Sequence, residues 1–185
     1  SSTQPPRGFM VMPFAEGGCL RDWLTTHGAG QPHHALRILH QCLEALAALH
    51  ACGIVHGDVK PQNFLMSSAS ATAIPLLADF DTSRTATDMG DHFVTTSTQT
   101  KIAGSTRYLS PEVQQFVDRE VARASSAAAS ASATASRNEN SSDSVMTPAI
   151  DIYALGVMWL ESRVSNLVVV PGAVPSIPAN CAAFT

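Results

Sequence analysis

Charge is scarce in this sequence. Only 14% of its 185 residues are Asp, Glu, Lys or Arg, and lysine occurs only at Lys60 and Lys101. With a formal net charge of −4, no basic surface stands ready for nucleic acid or an anionic membrane, and neither is expected as a partner. Long apolar runs are missing too. Nothing approaches the ~18 consecutive apolar residues of a membrane-spanning helix, so none is expected. Cys19, Cys42, Cys52 and Cys181 form no C-x-x-C pair, and no signal peptide opens the chain. Free thiols in a reducing compartment, cytosol or nucleus, are the expectation. What remains is ample for one domain with a proper core, since 45% of the residues are hydrophobic.

Residues 1–8 are polar and proline-rich, which predicts a disordered terminus. Phe9-Met10-Val11-Met12, ending at Pro13, predicts a short buried strand. Phe14 to Gly18 reads as a turn, and Cys19 to Leu24 as a short helix. The strongest periodicity runs from His33 to Ala51, where Leu36, Leu39, Leu43 and Leu46 recur at three- and four-residue steps, widened by Ile38, Cys42 and Leu49. That is a helix with an apolar stripe, started by Pro32 and stopped by Gly53. Its His33, His34, His40 and His50 share no metal-ligand spacing with a carboxylate or cysteine, so they are expected as surface or cap residues. Ser67 to Ala73 is a turn, Ile74 to Ala78 a strand, and Thr82 to Thr100 a polar loop. Residues 124–144 are low in complexity and expected as a disordered insertion. Thr147-Pro148 opens a helix over Ala149 to about Leu160, apolar almost all round and so expected to be buried. Residues 163–185 form an irregular, proline-rich tail.

The chemistry concentrates in His56-Gly57-Asp58-Val59-Lys60-Pro61-Gln62-Asn63, a polar loop pinned between apolar Ile54-Val55 and Phe64-Leu65-Met66. Loops held this way are where a rigid scaffold keeps reactive groups. Taken alone, Asp58 and Asn63 are equally at home as turn residues. Three further segments follow in order: Asp79-Phe80-Asp81, Ser110-Pro111-Glu112 and Asp151-Ile152-Tyr153-Ala154-Leu155-Gly156. Together the four resemble the eukaryotic-type protein kinase domain, whose catalytic loop reads H-R-D-x-x-x-x-N. The resemblance covers roughly residues 9–162, from hinge to central helix. It implies an α+β protein-kinase-like fold, mainly the helical large lobe, with the small lobe and the C-terminal helices missing.

By that resemblance the activity is phosphoryl transfer from ATP to Ser/Thr hydroxyls of protein substrates, with Mg2+. Asp58 is the implied catalytic base, and Lys60 reaches the transferring phosphate. Asn63 and Asp79 are the implied metal ligands, both counted among the catalytic residues. Met12 stands at the gatekeeper position, Pro13 and Ala15 offer backbone groups to an adenine edge, and Leu65 lies beneath the ring. Asp151 is implied to hold the backbone around His56. Phe80 is implied to stack on His56, and both Phe80 and Leu65 are expected inside.

The pattern also departs from the family. Gly57 replaces the arginine of H-R-D, so Thr95 to Thr100 lack that cationic receiver for a phosphate. Asp81 replaces the glycine of D-F-G, and an aspartate takes some of glycine's conformations only at a cost. No glycine-rich loop or small-lobe lysine is found, and Glu112 lacks its usual arginine partner. The implied partners are a protein substrate and the missing small lobe or flanking domains of a longer chain. The alternative is a pseudokinase or scaffold module that binds partners, and possibly nucleotide, without efficient turnover.

Overall fold

The apolar stripe of the long helix is where the chain's packing begins. A computed structural model describes residues 10–27, 32–85, 106–129 and 146–163. Its elements are α1 (Leu20–His27), α2 (Pro32–Ala51), β1 (Ile54–Val55), β2 (Phe64–Met66), β3 (Pro75–Leu77), β4 (Arg84–Thr85), α3 (Pro111–Ala129) and α4 (Pro148–Arg163). The buried face of α2 is Ala35, Ile38, Cys42 and Leu46, steps of three and four residues on one side of a helix. The expected stripe is therefore rotated, because Leu36 and Leu43 are exposed. Both faces of α2 are apolar, and the one that meets the β2–β3 hairpin and α4 is the one removed from water. Burial pushes the Cys42 thiol up to about 12, which keeps it protonated.

Leu20 and Trp23 of α1, Phe64 and Met66 of β2, and Ala154, Leu155 and Met158 of α4 complete this core. A smaller cluster of Val55, Val113, Met146 and Ile150 joins α3 to α4 and β1. The expected strand after the turn forms as β3, antiparallel to β2, with Phe64 opposite Leu77 and Met66 opposite Pro75. Two side chains hold the hairpin's loop from outside it. Arg37 of α2 donates to the Ala71 and Ala73 carbonyls at 2.7 and 2.9 Å, and the Trp23 indole donates to the Ser70 carbonyl at 3.1 Å. The two Arg37 bonds are charge-assisted and contribute about 1.5–3 kcal/mol each, the neutral indole bond about 0.5–1.5 kcal/mol. On the far side of β2, Gly17 donates to the Met66 carbonyl and Met66 to the Gly18 carbonyl. A Cβ at position 17 would run into the Ser68 carbonyl, so only glycine permits this approach.

Several expectations give way. Residues 10–15 form no strand, and Met10, Val11, Met12 and Phe14 are 83%, 96%, 59% and 88% exposed. A strand needs a neighbour for its backbone groups, and none of the described strands runs beside this segment. The helix expected to be buried all round turns Ile152 and Gly156 to solvent while Ile150, Asp151, Ala154, Leu155, Val157 and Met158 are buried. Residues 124–129 of the expected disordered insertion belong to α3. An alanine-rich run prolongs a helix already nucleated at Pro111, because alanine loses least on entering a helix. The rest of that insertion, the terminus at 1–8 and the tail after 163 lie outside the described residues. Among the described residues no helix is long and apolar enough to cross a membrane.

Candidate active site

Helix α2 ends at Ala51, β1 follows after a two-residue turn, and the chain emerges at His56 with its backbone in need of partners. The partner is Asp151, in the first turn of α4 and only 1% exposed. Its Oδ2 accepts the His56 N–H at 2.9 Å and its Oδ1 accepts the Gly57 N–H at 2.9 Å. A buried carboxylate is costly unless its lone pairs are filled, and adjacent backbone amides fill both oxygens. The His56 ring bridges the other way. Its Nδ1 accepts the Asp58 N–H at 3.3 Å, and its Nε2 lies 3.0 Å from the Ala78 carbonyl and so carries the proton.

Asp58 then stands at the centre of a contact set drawn from its own loop. Lys60 Nζ reaches Asp58 Oδ2 at 2.6 Å. Asn63 Nδ2 donates to the Asp58 carbonyl at 2.8 Å and to Oδ2 at 3.0 Å. The turn Pro61–Asn63, a single 3-10 turn, brings Asn63 back beneath Asp58, and buried Val59 anchors the crossing. With both amide hydrogens of Asn63 directed at Asp58, its Oδ1 is the atom left for a cation. The Ala78 N–H donates to the Asn63 carbonyl at 2.8 Å, which continues the β2–β3 ladder by one pair and places Asp79 immediately past Asn63.

Asp79 is left-handed, with φ 64°. Aspartate tolerates that region better than most residues. The cost expected at Asp81 is not there, because Asp79 is the only non-glycine residue with positive φ among those described and Asp81 sits in the 3-10 turn Phe80–Thr82. That turn is latched to the loop, with Thr82 Oγ1 and Ser83 Oγ donating to the His56 carbonyl at 3.0 and 3.3 Å. Phe80 lies 5.1 Å from His56, ring to ring, but at 48% exposure it is not the inside residue expected. Its contact with His56 leaves the rest of the ring in water. Leu65 is half-buried, paired with Leu76 and bridged to Cys19. The Ala15 carbonyl accepts the Gly18 N–H at 3.3 Å. Met12 and Pro13 lie on the exposed segment, and among the described residues no hydrogen bond ties them to the loop.

The structure brings together Asp58, Lys60 and Asn63, with Asp79 one residue beyond their hydrogen-bonded neighbour. It also shows what sequence reasoning missed. Gly57 has φ 78°, and a Cβ there would meet Met146 Cε at 2.8 Å and the Thr82 carbonyl at 3.3 Å. The room a side chain would need is taken by Met146. Gly57→Ala is expected to cost about 1–2 kcal/mol for the left-handed backbone alone, read as a lower midpoint in urea. An unchanged midpoint would mean the loop is not held in this conformation. His50, expected at the surface or as a cap, is instead only 14% exposed, with Nε2 2.8 Å from Asp151 Oδ2. Position 50 lies in the last turn of α2, and no local signal pointed to a partner 101 residues away.

Beside Asp58 a small cleft opens to solvent, walled by Asp58, Gly57, Tyr108, Leu109, Met146 and Ile150. Tyr108 and Arg107 are tied to α4 through Glu161, at 2.7 and 2.8 Å. Burial, then the Glu161 carboxylate, push the Tyr108 phenol upward, so it stays protonated as the donor.

A sequence model described as the protein kinase domain matches residues 2–170. Curated relatives include the serine/threonine-protein kinase PknB of Mycobacterium tuberculosis, 34% identical over 107 residues, which are 58% of this chain and 16% of that protein. PknL of the same species is 41% identical over 104 residues, 56% of this chain and 24% of that protein. PknB of Mycolicibacterium smegmatis is 35% identical over 107 residues. The chain thus spans a quarter or less of the length of these relatives.

Proposed function

The chain belongs to the protein kinase family, and from that premise we propose that it carries the catalytic loop of a Ser/Thr protein kinase, moving a phosphoryl group from ATP to hydroxyls of protein substrates as part of a longer enzyme. The observation that supports this most is the Asp58–Lys60–Asn63 cluster, hung through His56 and Gly57 on Asp151. Positioned charge of this kind is most of what phosphoryl transfer asks of a protein. In this reading Asp58 accepts the hydrogen bond of the attacking hydroxyl and orients its oxygen. Lys60 faces the transferring phosphate and offsets its developing negative charge. The cleft beside Asp58 takes the polypeptide that carries the hydroxyl.

Asn63 Oδ1 and the Asp79 carboxylate are hard oxygen donors, as few in number as Mg2+ needs when it keeps its waters and the nucleotide's phosphates. The donor set fits that cation. A cation held there would offset phosphate charge. Leu65, with the backbone of Pro13 and Ala15 and the side chain of Met12, forms the adenine end. The exposed Met10, Val11, Met12 and Phe14 call for an apolar covering, the small lobe of the longer chain.

A second reading, a scaffold module without turnover, draws support from that same exposure, since the adenine end stands open. The two separate in a thermal-shift titration with ATP, with and without Mg2+, beside Asp79→Asn. The kinase reading expects a magnesium-dependent stabilisation that the variant loses, about 2.7 kcal/mol at a hundredfold excess over Kd. No shift from a cooperatively melting sample would sink nucleotide binding by this chain and favour the scaffold.

A further inference from the structure

Asp79 is exposed and left-handed, and its own side chain caps no N–H of the turn that follows. A residue so placed returns to the ordinary backbone regions unless its surroundings prevent it. Those surroundings are pinned on both sides to one fully buried residue, His56. On the near side the His56 ring donates to the Ala78 carbonyl at 3.0 Å. On the far side Thr82 Oγ1 and Ser83 Oγ donate to the His56 carbonyl at 3.0 and 3.3 Å, one hydroxyl for each lone pair. Thr82 comes this close because residue 57 is glycine. A Cβ there would lie 3.3 Å from the Thr82 carbonyl oxygen and 3.7 Å from its Oγ1.

We propose that Thr82, together with Ser83, is a positioning residue for the metal-ligating carboxylate: its hydroxyl, bonded to the His56 carbonyl, keeps the Asp79 backbone left-handed and so fixes where that carboxylate stands relative to Asn63. The reason is a near balance. The left-handed region costs a residue with a side chain about as much as two hydroxyl hydrogen bonds return, so the latch decides which conformation is populated. The other restraints beyond Asp79 are slight. Phe80 is half in water, and the β1–β4 pairing behind it is two residues long. The metal-ligand role of Asp79 rests on the kinase reading above, while the latch itself does not.

Three substitutions separate hydroxyl from shape. Thr82→Val keeps the branched side chain without its donor, Ser83→Ala removes the second donor, and Thr82→Ser retains the first. NMR couplings that report the sign of φ at Asp79 are compared in the metal-free proteins. Positive φ is expected in the parent and in Thr82→Ser, and an averaged value where Thr82→Val and Ser83→Ala are combined. Positive φ persisting in that double variant would overturn the proposal. Mn2+, standing in for Mg2+, is then titrated with ATP present and followed by water-proton relaxation. The double variant should hold it about tenfold more weakly, because only the left-handed fraction binds, while its affinity for metal-free ATP holds. Thr82→Ser should bind as the parent does. Equal Mn2+ affinity in the double variant, or a loss in Thr82→Ser as large, would reduce Thr82 to a packing residue. Should the double variant not fold, Thr82→Val set against Thr82→Ser reads the same difference at about threefold, the worth of one weak bond. A parent that binds no Mn2+, beside a double variant that still loses positive φ, would sink the kinase reading and leave the latch standing.

Discussion

Asp151→Ala is expected to lower stability by about 3–5 kcal/mol, the usual cost of removing one partner from a buried charged network. The loss arises because three donors keep their places after the acceptor has gone. The His56 N–H, fully buried, has no access to water, whereas Gly57 and His50 are partly accessible and recover some hydration. This is why the expected value lies in the lower part of the about 3–9 kcal/mol that three unmet buried donors would cost. Against a total stability of ~5–15 kcal/mol for a domain, such a loss is a large fraction of the whole. Asp151→Asn should be milder, since one oxygen still accepts while the amide meets a donor head-on. Denaturant melts of the two variants measure this. An alanine variant within about 1 kcal/mol of the parent, close to the uncertainty of such melts, would mean the loop finds other acceptors and that Asp151 is not its anchor.

Asp58→Asn is expected to reduce phosphoryl transfer by about 10²–10⁴-fold in a form of the protein that shows the activity, with nucleotide affinity within a few-fold. The substitution keeps shape and one oxygen, so the loop should stay folded. It removes the carboxylate that would orient the attacking hydroxyl and that pairs with Lys60 at 2.6 Å. The loss should therefore fall on kcat, and the KM for ATP should hold. A reduction of less than about tenfold would exclude Asp58 as the base and point to positioning as the main source of rate.

Much of this site was legible because its members are close in the chain. Asp58, Lys60 and Asn63 fall within one tight crossing, where the 3-10 turn Pro61–Asn63 brings side chains two and five residues apart together. Asp151 was reachable only through resemblance, since nothing local says that a carboxylate in an apolar helix faces a loop 95 residues earlier. His50 and Met146 were not reachable. Each is ordinary in its own segment and gains its role only from what lies opposite. The left-handed conformation fell on Asp79 and not on Asp81 for a similar reason, because the ladder from Asn63 to Ala78 and the latch of Thr82 on His56 decide how the backbone turns between them.

The amino-acid order by itself determined the helices α1, α2 and α4, the polar loop with its reactive groups, and the family to which they belong, while α3 (Pro111–Ala129) was not foreseen. Those properties depend on propensity, periodicity and spacing over a few residues. The tertiary structure alone decided which of α2's two apolar faces is buried, that Met10 to Phe14 stay in water, that Met146 fills the room beside Gly57, and that His50 reaches Asp151. Each of these is a choice among several locally acceptable arrangements, and only the packing of distant elements, which removes one surface from water and leaves another in it, makes them differ in free energy.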